Sequence, residues 1–462
     1  MSTLLLKDAD VVITMDPLGT RIPGGGVFIR DNVIEQVGPT PDLPEFADEI
    51  IDAGGLALAP GLINTHHHFF QSLFRAVPGA QDSGLFDWLR RLVPLDAEVD
   101  AEALRIASLT AMAELMLSGC TTSSDHHYIF TNHTTLLDAQ IESASKIGLR
   151  LHATRGSLSM GASDGGLLSD EVVEDEDVVM ADCARLIETH HDPSPLSMVR
   201  VGLAPCTPFV VTKELMRESA DLARSHPNVI LHTHVAETLD EIDYCRERFG
   251  QRPAEYMEEV GWIGPDVWWA HAVHLNDAEV AMLAETGTGI AHCPSSNMRL
   301  GSGICRVRDM VDAGVNVGIG VDGSASNDTG HLLAEARAAV LLQRVAHGAQ
   351  GLGVEDGLRL ATVGGASVLG RLNELGSLEA GKAADVIGID LHTVAMAGGA
   401  VHDPVAALLL CSVDRVDLSI INGRQVIRDG RLLTIDVEAL VGRHNNIARQ
   451  LAARHAGADR GP

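Results

Sequence analysis

Aromatic residues, basic residues and paired cysteines are all scarce in this sequence. Phe, Trp and Tyr make up 3% of its 462 residues, so Ala, Val, Leu and Ile must fill the core, and 46 glycines allow many tight loops. Lys and Arg number 34 against 63 Asp and Glu, a net charge of −29. A field of that sign repels phosphate backbones and anionic membranes, which argues against nucleic-acid or membrane partners. The seven cysteines (Cys120, Cys183, Cys206, Cys245, Cys293, Cys305 and Cys411) are odd in number, scattered and free of any CxxC pair. That excludes a simple disulfide framework and the common cysteine zinc modules, and favours a reducing compartment. No stretch approaches the roughly 18 apolar residues of a membrane span. The apolar start at Leu4–Leu6 is broken at once by Lys7, Asp8 and Asp10. The expectation is a cytoplasmic protein.

What is present is a globular composition, 45% hydrophobic and 21% charged, with length for one large barrel and a smaller partner. Residues 1–58 read as short strands (Val11–Met15, Val27–Ile29, Val33–Val37) between Gly-, Asn- and Pro-rich turns. From residue 59 to 375, short apolar runs alternate with stretches of helical period such as Glu102–Leu117 and Lys213–Ser225. The runs are Ala57–Asn64, Thr121–Asp125, Leu149–Thr154, Val199–Ala204, Val229–His234, Val267–His271, Thr288–His292 and Val315–Val321. Eight such units suit a parallel (β/α)8 barrel, the TIM-barrel architecture of the α/β class, better than a doubly wound sheet. Strand texture returns over 376–430, in Gly376–Gly381, Ala384–Ile389, Leu418–Asn422 and Gln425–Asp429, with Asn422-Gly423 as a hairpin turn. Both chain ends are expected to close into one small β-sandwich. Residues 431–462 form a C-terminal helix and tail, with Asp436 as N-cap.

Histidines cluster at the ends of the expected strands. In Asn64-Thr65-His66-His67-His68, His66 and His68 lie two apart and share one face, with His67 pointing away. They stand at the mouth of the first barrel strand, where barrel active sites are built, and two imidazoles there suit a divalent metal at about 2.0–2.1 Å per Zn–N bond. The fifth strand ends His232-Thr233-His234-Val235-Ala236-Glu237. His234, one rung nearer the mouth than His232, is the better third ligand, and Glu237 is placed to shuttle a proton between metal-bound water and substrate. His271 ends the sixth strand and Asp322 the eighth, Asp322 as ligand or base; His274 reads as a loop histidine.

These strand ends together resemble the amidohydrolase superfamily, through Pro60-Gly61-Leu62-Ile63-Asn64-Thr65-His66-His67-His68, His234-Val235-Ala236-Glu237, His271 and Asp322. Gly381-Lys382-Ala383-Ala384-Asp385 and Ile421-Asn422-Gly423 are similar to its sandwich domain. The resemblance implies a distorted barrel in which His66, His68, His234 and Asp322 hold one zinc (or iron) ion, with Glu237 and His271 beside it as catalytic groups. Two-metal members bridge their ions with a carboxylated Lys at the end of strand four. Here that strand ends Leu203-Ala204-Pro205-Cys206-Thr207-Pro208, and Lys213 falls in the next helix-like stretch, so one metal is expected. Zinc lowers its water toward a pKa of about 7. Asp322 with His271 then takes the proton, and Glu237 protonates the ring nitrogen beside the amine-bearing carbon.

The ring is harder to read from the residues. Gln71 could hold a lactam edge and Arg155 a ring carbonyl; the alternatives are a helix-surface Gln and a salt-bridged Arg. Trp88 and Phe70 belong to a stacking wall or to the core, Cys206 to the pocket or to inert packing, and the loop His292–Leu300 to the rim. Within the superfamily the chain is most similar to the purine and triazine deaminase branch, nearest the bacterial 8-oxoguanine deaminases. The segments that carry this begin at Asn64, Ser118, Ala291 and Gly320. The resemblance implies conversion of 8-oxoguanine to urate and ammonia, with a small heterocycle as partner and a homo-oligomeric assembly. Guanine, isocytosine or a hydroxylated s-triazine stay open as substrates, as does amide or lactam hydrolysis.

Overall fold

The computed structural model describes residues 2–130 and 135–458, with side chains to Arg454. The last four residues of the expected tail thus lie outside the described residues.

Eight parallel strands close a barrel: Leu62–Asn64, Cys120–His127, Arg150–Ser157, Val199–Pro205, Leu231–Val235, Val267–His271, Gly289–His292 and Val317–Ile319. Each pairs with its successor, and Ile319 pairs with Asn64 to close the ring. Helices such as Ala101–Leu117, Glu176–His190 and Lys213–Arg224 cover it. Because the strands are covered on both faces they are buried along nearly their whole length, including the polar residues of Cys120–His127. Helix starts follow their caps: Asp100 accepts from Ala103 N at 2.8 Å, Thr212 from Leu215 N at 3.1 Å, and Asn276 forms a capping box with Glu279.

The chain ends build one mixed nine-stranded sheet. Its N-terminal half comprises Thr3–Ile13, Arg21–Arg30, Val33–Pro39, Glu49–Asp52 and Leu56–Pro60; its C-terminal half comprises Val386–Asp390, Leu418–Ile421, Arg424–Arg428 and Arg431–Leu432. The expected sandwich is therefore one hydrogen-bonded sheet, from whose path only Glu49–Asp52 branches by pairing with Thr3–Ile13. It curls around a core in which Leu6 and Val27 share a cluster with Val386 and Ile420. The expected run Ala57–Asn64 is split at Gly61. Leu56–Pro60 pairs antiparallel with Val386–Asp390 in the terminal sheet, and only Leu62–Asn64 enters the barrel. At the crossing Gly61 N donates to Asp385 O at 3.0 Å, and a Cβ there would run into Thr121.

Gly376–Gly381 is not a strand. Its terminal glycines sit at φ 90° and 91°, which breaks the extended chain, and the segment instead brackets the N-terminal strands through Leu378 N to Thr14 O and Gly381 N to Ile34 O. The edge strand Glu49–Asp52 is mostly exposed and carries no apolar alternation to announce it. Asn422 and Gly423 have φ of 51° and 79°, the geometry of the expected tight hairpin. Asp436 caps the helix Val437–Ala458 through Ala439 N at 3.0 Å. Among the described residues no helix is long and apolar enough to cross a membrane.

Gly61→Ala is expected to destabilise the fold by about 1–3 kcal/mol through overpacking, read from the denaturant midpoint, with partial recovery when Thr121→Ala is added. A single variant that unfolds at the parental midpoint would show that this crossing is not tightly packed.

Candidate active site

The barrel's C-terminal mouth gathers side chains from its strand ends. Asn64 ties three of these strands together: its Nδ2 donates to Ser123 Oγ at 2.9 Å and its Oδ1 accepts from Val321 N at 2.9 Å. The chain beyond it carries His66 and His68, both buried. His66 Nε2 lies 3.2 Å and His68 Nε2 3.3 Å from Asp322 Oδ1, and His68 Nε2 lies 3.3 Å from His234 Nε2. The outer nitrogens are already engaged. His68 Nδ1 donates to His126 O and His234 Nδ1 to Cys206 O, each at 2.7 Å, while His66 Nδ1 meets His232 Nε2 at 2.8 Å. The inward Nε2 atoms are thereby lone pairs facing one another.

Three lone-pair nitrogens and a carboxylate oxygen do not satisfy each other. Edges of 3.2–3.3 Å match those of a tetrahedron built on ligand bonds of about 2.0–2.1 Å. The donor set therefore fits a divalent cation. Protonation states agree: burial holds His66 and His68 below the usual imidazole range and His234 down to about 3, so all three are neutral. Burial raises the Asp322 carboxyl, but the surrounding imidazoles of His66, His271 and His68 outweigh it and hold its pKa well below the usual carboxylate range. His126 also approaches, its ligand atom lying with those of His66, His68 and His234 within 4.8 Å of one another. Its Nε2 donates to Ala204 O at 2.8 Å.

Beside this set stands a proton-handling pair. Glu237 Oε2 lies 3.6 Å from His271 Nε2, and His271 Nδ1 donates to Asn297 Oδ1 at 2.9 Å. Burial pushes the Glu237 carboxyl up to about 7, with His271 opposing and Asp322 adding. Burial works against charge on His271, yet Glu237 and Asp322 outweigh it and raise its pKa. The turn bearing Glu237 is held by Glu241, whose carboxylate accepts from Ala236 N and Glu237 N at 2.8 Å each. Ala236, His271 and Asp322 have φ of 53°, 71° and 62°. Left-handed backbone at three such strand ends is local strain, a recurrent feature of functional sites.

Glu237, His271, Asp322, His68 and His234 line one cavity, walled by Trp88, Tyr128, Cys206, Thr207, Phe209 and Leu300. Leu300 follows the short helix Pro294–Arg299, which gives the expected rim. Cys206 faces the cavity, but burial raises its thiol pKa and keeps it protonated. Phe70 sits behind, against His127 and Tyr128. Gln71 is buried and outside the cavity wall, with Nε2 3.3 Å from Tyr128 Oη. His67 packs on Phe69, His274 binds Ser302 O in its loop, and Lys213 pairs with Glu259.

Arg155 requires correction as a substrate residue. It lies on the helix-facing side of its strand, fully buried, with Nε 3.0 Å from Asp182 and Nη2 2.7 Å from Glu174, and stacks 3.7 Å above the Phe130 ring. With Nε, both Nη1 hydrogens and one Nη2 hydrogen held by Asp182, Gly156 O and Glu174, and the side chain outside the cavity lining, it is not placed to meet a ring. His126, Tyr128 and Thr207 were passed over in the sequence. The rule that chemistry gathers at barrel strand ends, applied to Asp125-His126-His127-Tyr128 and Pro205-Cys206-Thr207, would have found them.

The amidohydrolase family model matches residues 57–426. The chain belongs to the amidohydrolase family. It is 44% identical over 455 residues to an 8-oxoguanine deaminase of Pseudomonas aeruginosa, covering 98% of this chain and 100% of that one. It is 38% identical to a hydroxydechloroatrazine ethylaminohydrolase of Pseudomonas sp. (strain ADP), covering 98% and 96%. The fold superposes on the crystal structure of an atrazine chlorohydrolase from Arthrobacter aurescens TC1 complexed with zinc, with a TM-score of 0.92, 34% identity, and 96% and 100% of the chains covered. This amidohydrolase is an enzyme of the deaminase and aminohydrolase kind, a hydrolase of C–N bonds.

Arg155→Met leaves half-buried Glu174 without its partner and buried Asp182 with Arg185 alone, and is expected to lower stability by about 3–5 kcal/mol, read by denaturant unfolding, with KM of the folded enzyme unchanged. A raised KM at parental stability would return Arg155 to the substrate.

Proposed function

We propose that this amidohydrolase deaminates 8-oxoguanine to urate and ammonia, with His66, His68, His234 and Asp322 holding one zinc ion and Glu237, His271 and Asp322 moving protons. The convergence of three imidazole lone pairs and a carboxylate beside a buried Glu–His pair carries the reaction class. The ring rests on the 44% likeness to 8-oxoguanine deaminase along the whole chain.

A divalent cation held by these residues supplies the Lewis acidity that makes water a nucleophile near neutral pH. Asp322 and His271 accept the proton that water gives up as its oxygen bonds to the ring carbon bearing the amine. Glu237, with a pKa near 7, is available in its protonated form to donate to the adjacent ring nitrogen, which takes up the electron pair of the C=N bond. As a carboxylate it then receives the remaining water proton and passes it to the amine. The C–N bond breaks, ammonia leaves, and the ring regains its C=N or lactam form. Trp88 and Phe209 offer flat apolar walls, and the cavity-lining residues include no Lys or Arg, which suits a neutral base. Thr207 brings a buried Oγ1 without a hydrogen-bond partner, a group suited to the polar edge of the ring.

A hydroxylated s-triazine is the second reading, favoured by the 38% likeness to the ethylaminohydrolase. Ammonia release from 8-oxoguanine, guanine, isocytosine and a hydroxy-s-triazine, measured on metal-reconstituted protein, separates these. The expected result is a kcat/KM for 8-oxoguanine well above the others. Ammonia from none of them, with metal bound, would sink deamination and favour amide or lactam hydrolysis.

Glu237→Gln is expected to lower kcat about 10²–10⁴-fold with metal content unchanged, measured by elemental analysis of the same sample. Thr207→Val is expected to lower kcat/KM about tenfold, as for one lost neutral hydrogen bond, mainly through KM. An unchanged KM would remove Thr207 from recognition.

A further inference from the structure

We infer that His232 is a positioning residue that fixes the tautomer and aim of His66, and that it forms one link of a closed ring running through His66, His232, Trp268 and Thr65. This rests on the proposed metal centre. The three histidines of that centre differ in how their outer nitrogens are held. His68 and His234 donate to main-chain carbonyls of His126 and Cys206, acceptors fixed by the strands themselves. His66 Nδ1 instead faces a side chain, His232 Nε2, at 2.8 Å. Two imidazole nitrogens at that distance share one proton, and which ring carries it is decided by what holds the other end of His232.

That other end is unambiguous. His232 Nδ1 lies 3.0 Å from Trp268 O, a carbonyl that can only accept, so Nδ1 carries the hydrogen and Nε2 is left as an acceptor. His66 Nδ1 must then donate, and its Nε2 is the lone pair turned toward Asp322. His232 and Trp268 are register partners on adjacent strands, and their rings stack at 4.3 Å with 13° between planes; a flip of the His232 ring in that plane would put carbons where both nitrogens stand and lose the bonds to Trp268 O and His66 Nδ1. Trp268 Nε1 in turn donates to Thr65 O at 3.0 Å, fixing the peptide that leads into His66. Side chain and main chain of His66 are thus set from one tryptophan. Partners of this kind that orient a ligand histidine are worth about 10–100-fold in metal affinity.

The alternative is that His232 is only a satisfied core histidine, and two substitutions separate the cases. His232→Leu keeps apolar bulk and removes the acceptor. His232→Gln restores it, since one amide can donate to Trp268 O and accept from His66 Nδ1 at the same time. Zinc release to a chelator is expected to be at least tenfold faster in His232→Leu and near the parental rate in His232→Gln. The d–d spectrum of the cobalt-loaded protein should shift in the first and not in the second. Nitrogen-15 NMR of the zinc-loaded parent needs no variant to fold; it should show protonated Nδ1 on both rings and an unprotonated, metal-free Nε2 on His232. Parental zinc retention and spectrum in His232→Leu, equal losses in both variants, or a protonated His232 Nε2 would each overturn the inference and leave the metal centre standing. A parent protein that takes up no cation would overturn the metal centre itself, and this inference with it.

Discussion

The structure turns on unmet electron pairs. Three imidazole nitrogens, each stripped of its proton by a partner on the far side of its ring, point at one another and at a carboxylate across 3.2–3.3 Å. In a buried pocket such an arrangement is unfavourable until a cation occupies its centre. Each ligand histidine depends on a group outside the pocket: a carbonyl of the second barrel strand, a carbonyl after the fourth, or His232 on the fifth. The barrel must therefore close with its strand ends in register before the site exists.

The same dryness that aims the lone pairs tunes the acids. Glu237 is raised to about 7 chiefly by burial, while Asp322, a few ångströms from three imidazoles, is driven the opposite way. Two carboxylates in one cavity are thereby assigned opposite tasks by their surroundings, one resting as an acid that gives a proton and the other resting as an anion that takes one. The left-handed residues Ala236, His271 and Asp322 allow this placement: each turns the chain sharply at a strand end and swings a side chain over the barrel axis. Glu241, which clamps the Glu237 turn by two main-chain hydrogen bonds, helps to hold that strain in place.

Away from the mouth, the molecule is organised by one crossing. The chain leaves the terminal sheet and enters the barrel at Gly61, and Asp385, whose carbonyl receives Gly61 N, also binds Arg150 and Asn422 N with its carboxylate. First barrel strand, third barrel strand and C-terminal hairpin thus share one residue, so the terminal sheet fixes the strands that carry His66 and His68.

The barrel and the centre of its site were legible because both are written as short-range pattern. Alternating apolar runs and helical stretches gave eight units, and His-x-His at a strand end puts two imidazoles on one face whatever the rest of the chain does. Asn422-Gly423 and Asp436 were equally local, as turn and cap chemistry always is. Tertiary packing decided what pattern could not. Gly376–Gly381, expected as a strand, carries no β-branched or aromatic residue and is bent by two left-handed glycines; Ala57–Asn64 read as one strand because a single glycine does not reveal that two sheets meet there. Arg155 and Gln71 stand outside the cavity wall, the first paired with Glu174 and with Asp182 of the following helix, the second held behind Tyr128. Sequence alone determined which residues could bear charge or lone pairs at the mouth. Only the closed barrel decided which nitrogen of each histidine faces inward, because that depends on partners up to 166 residues away.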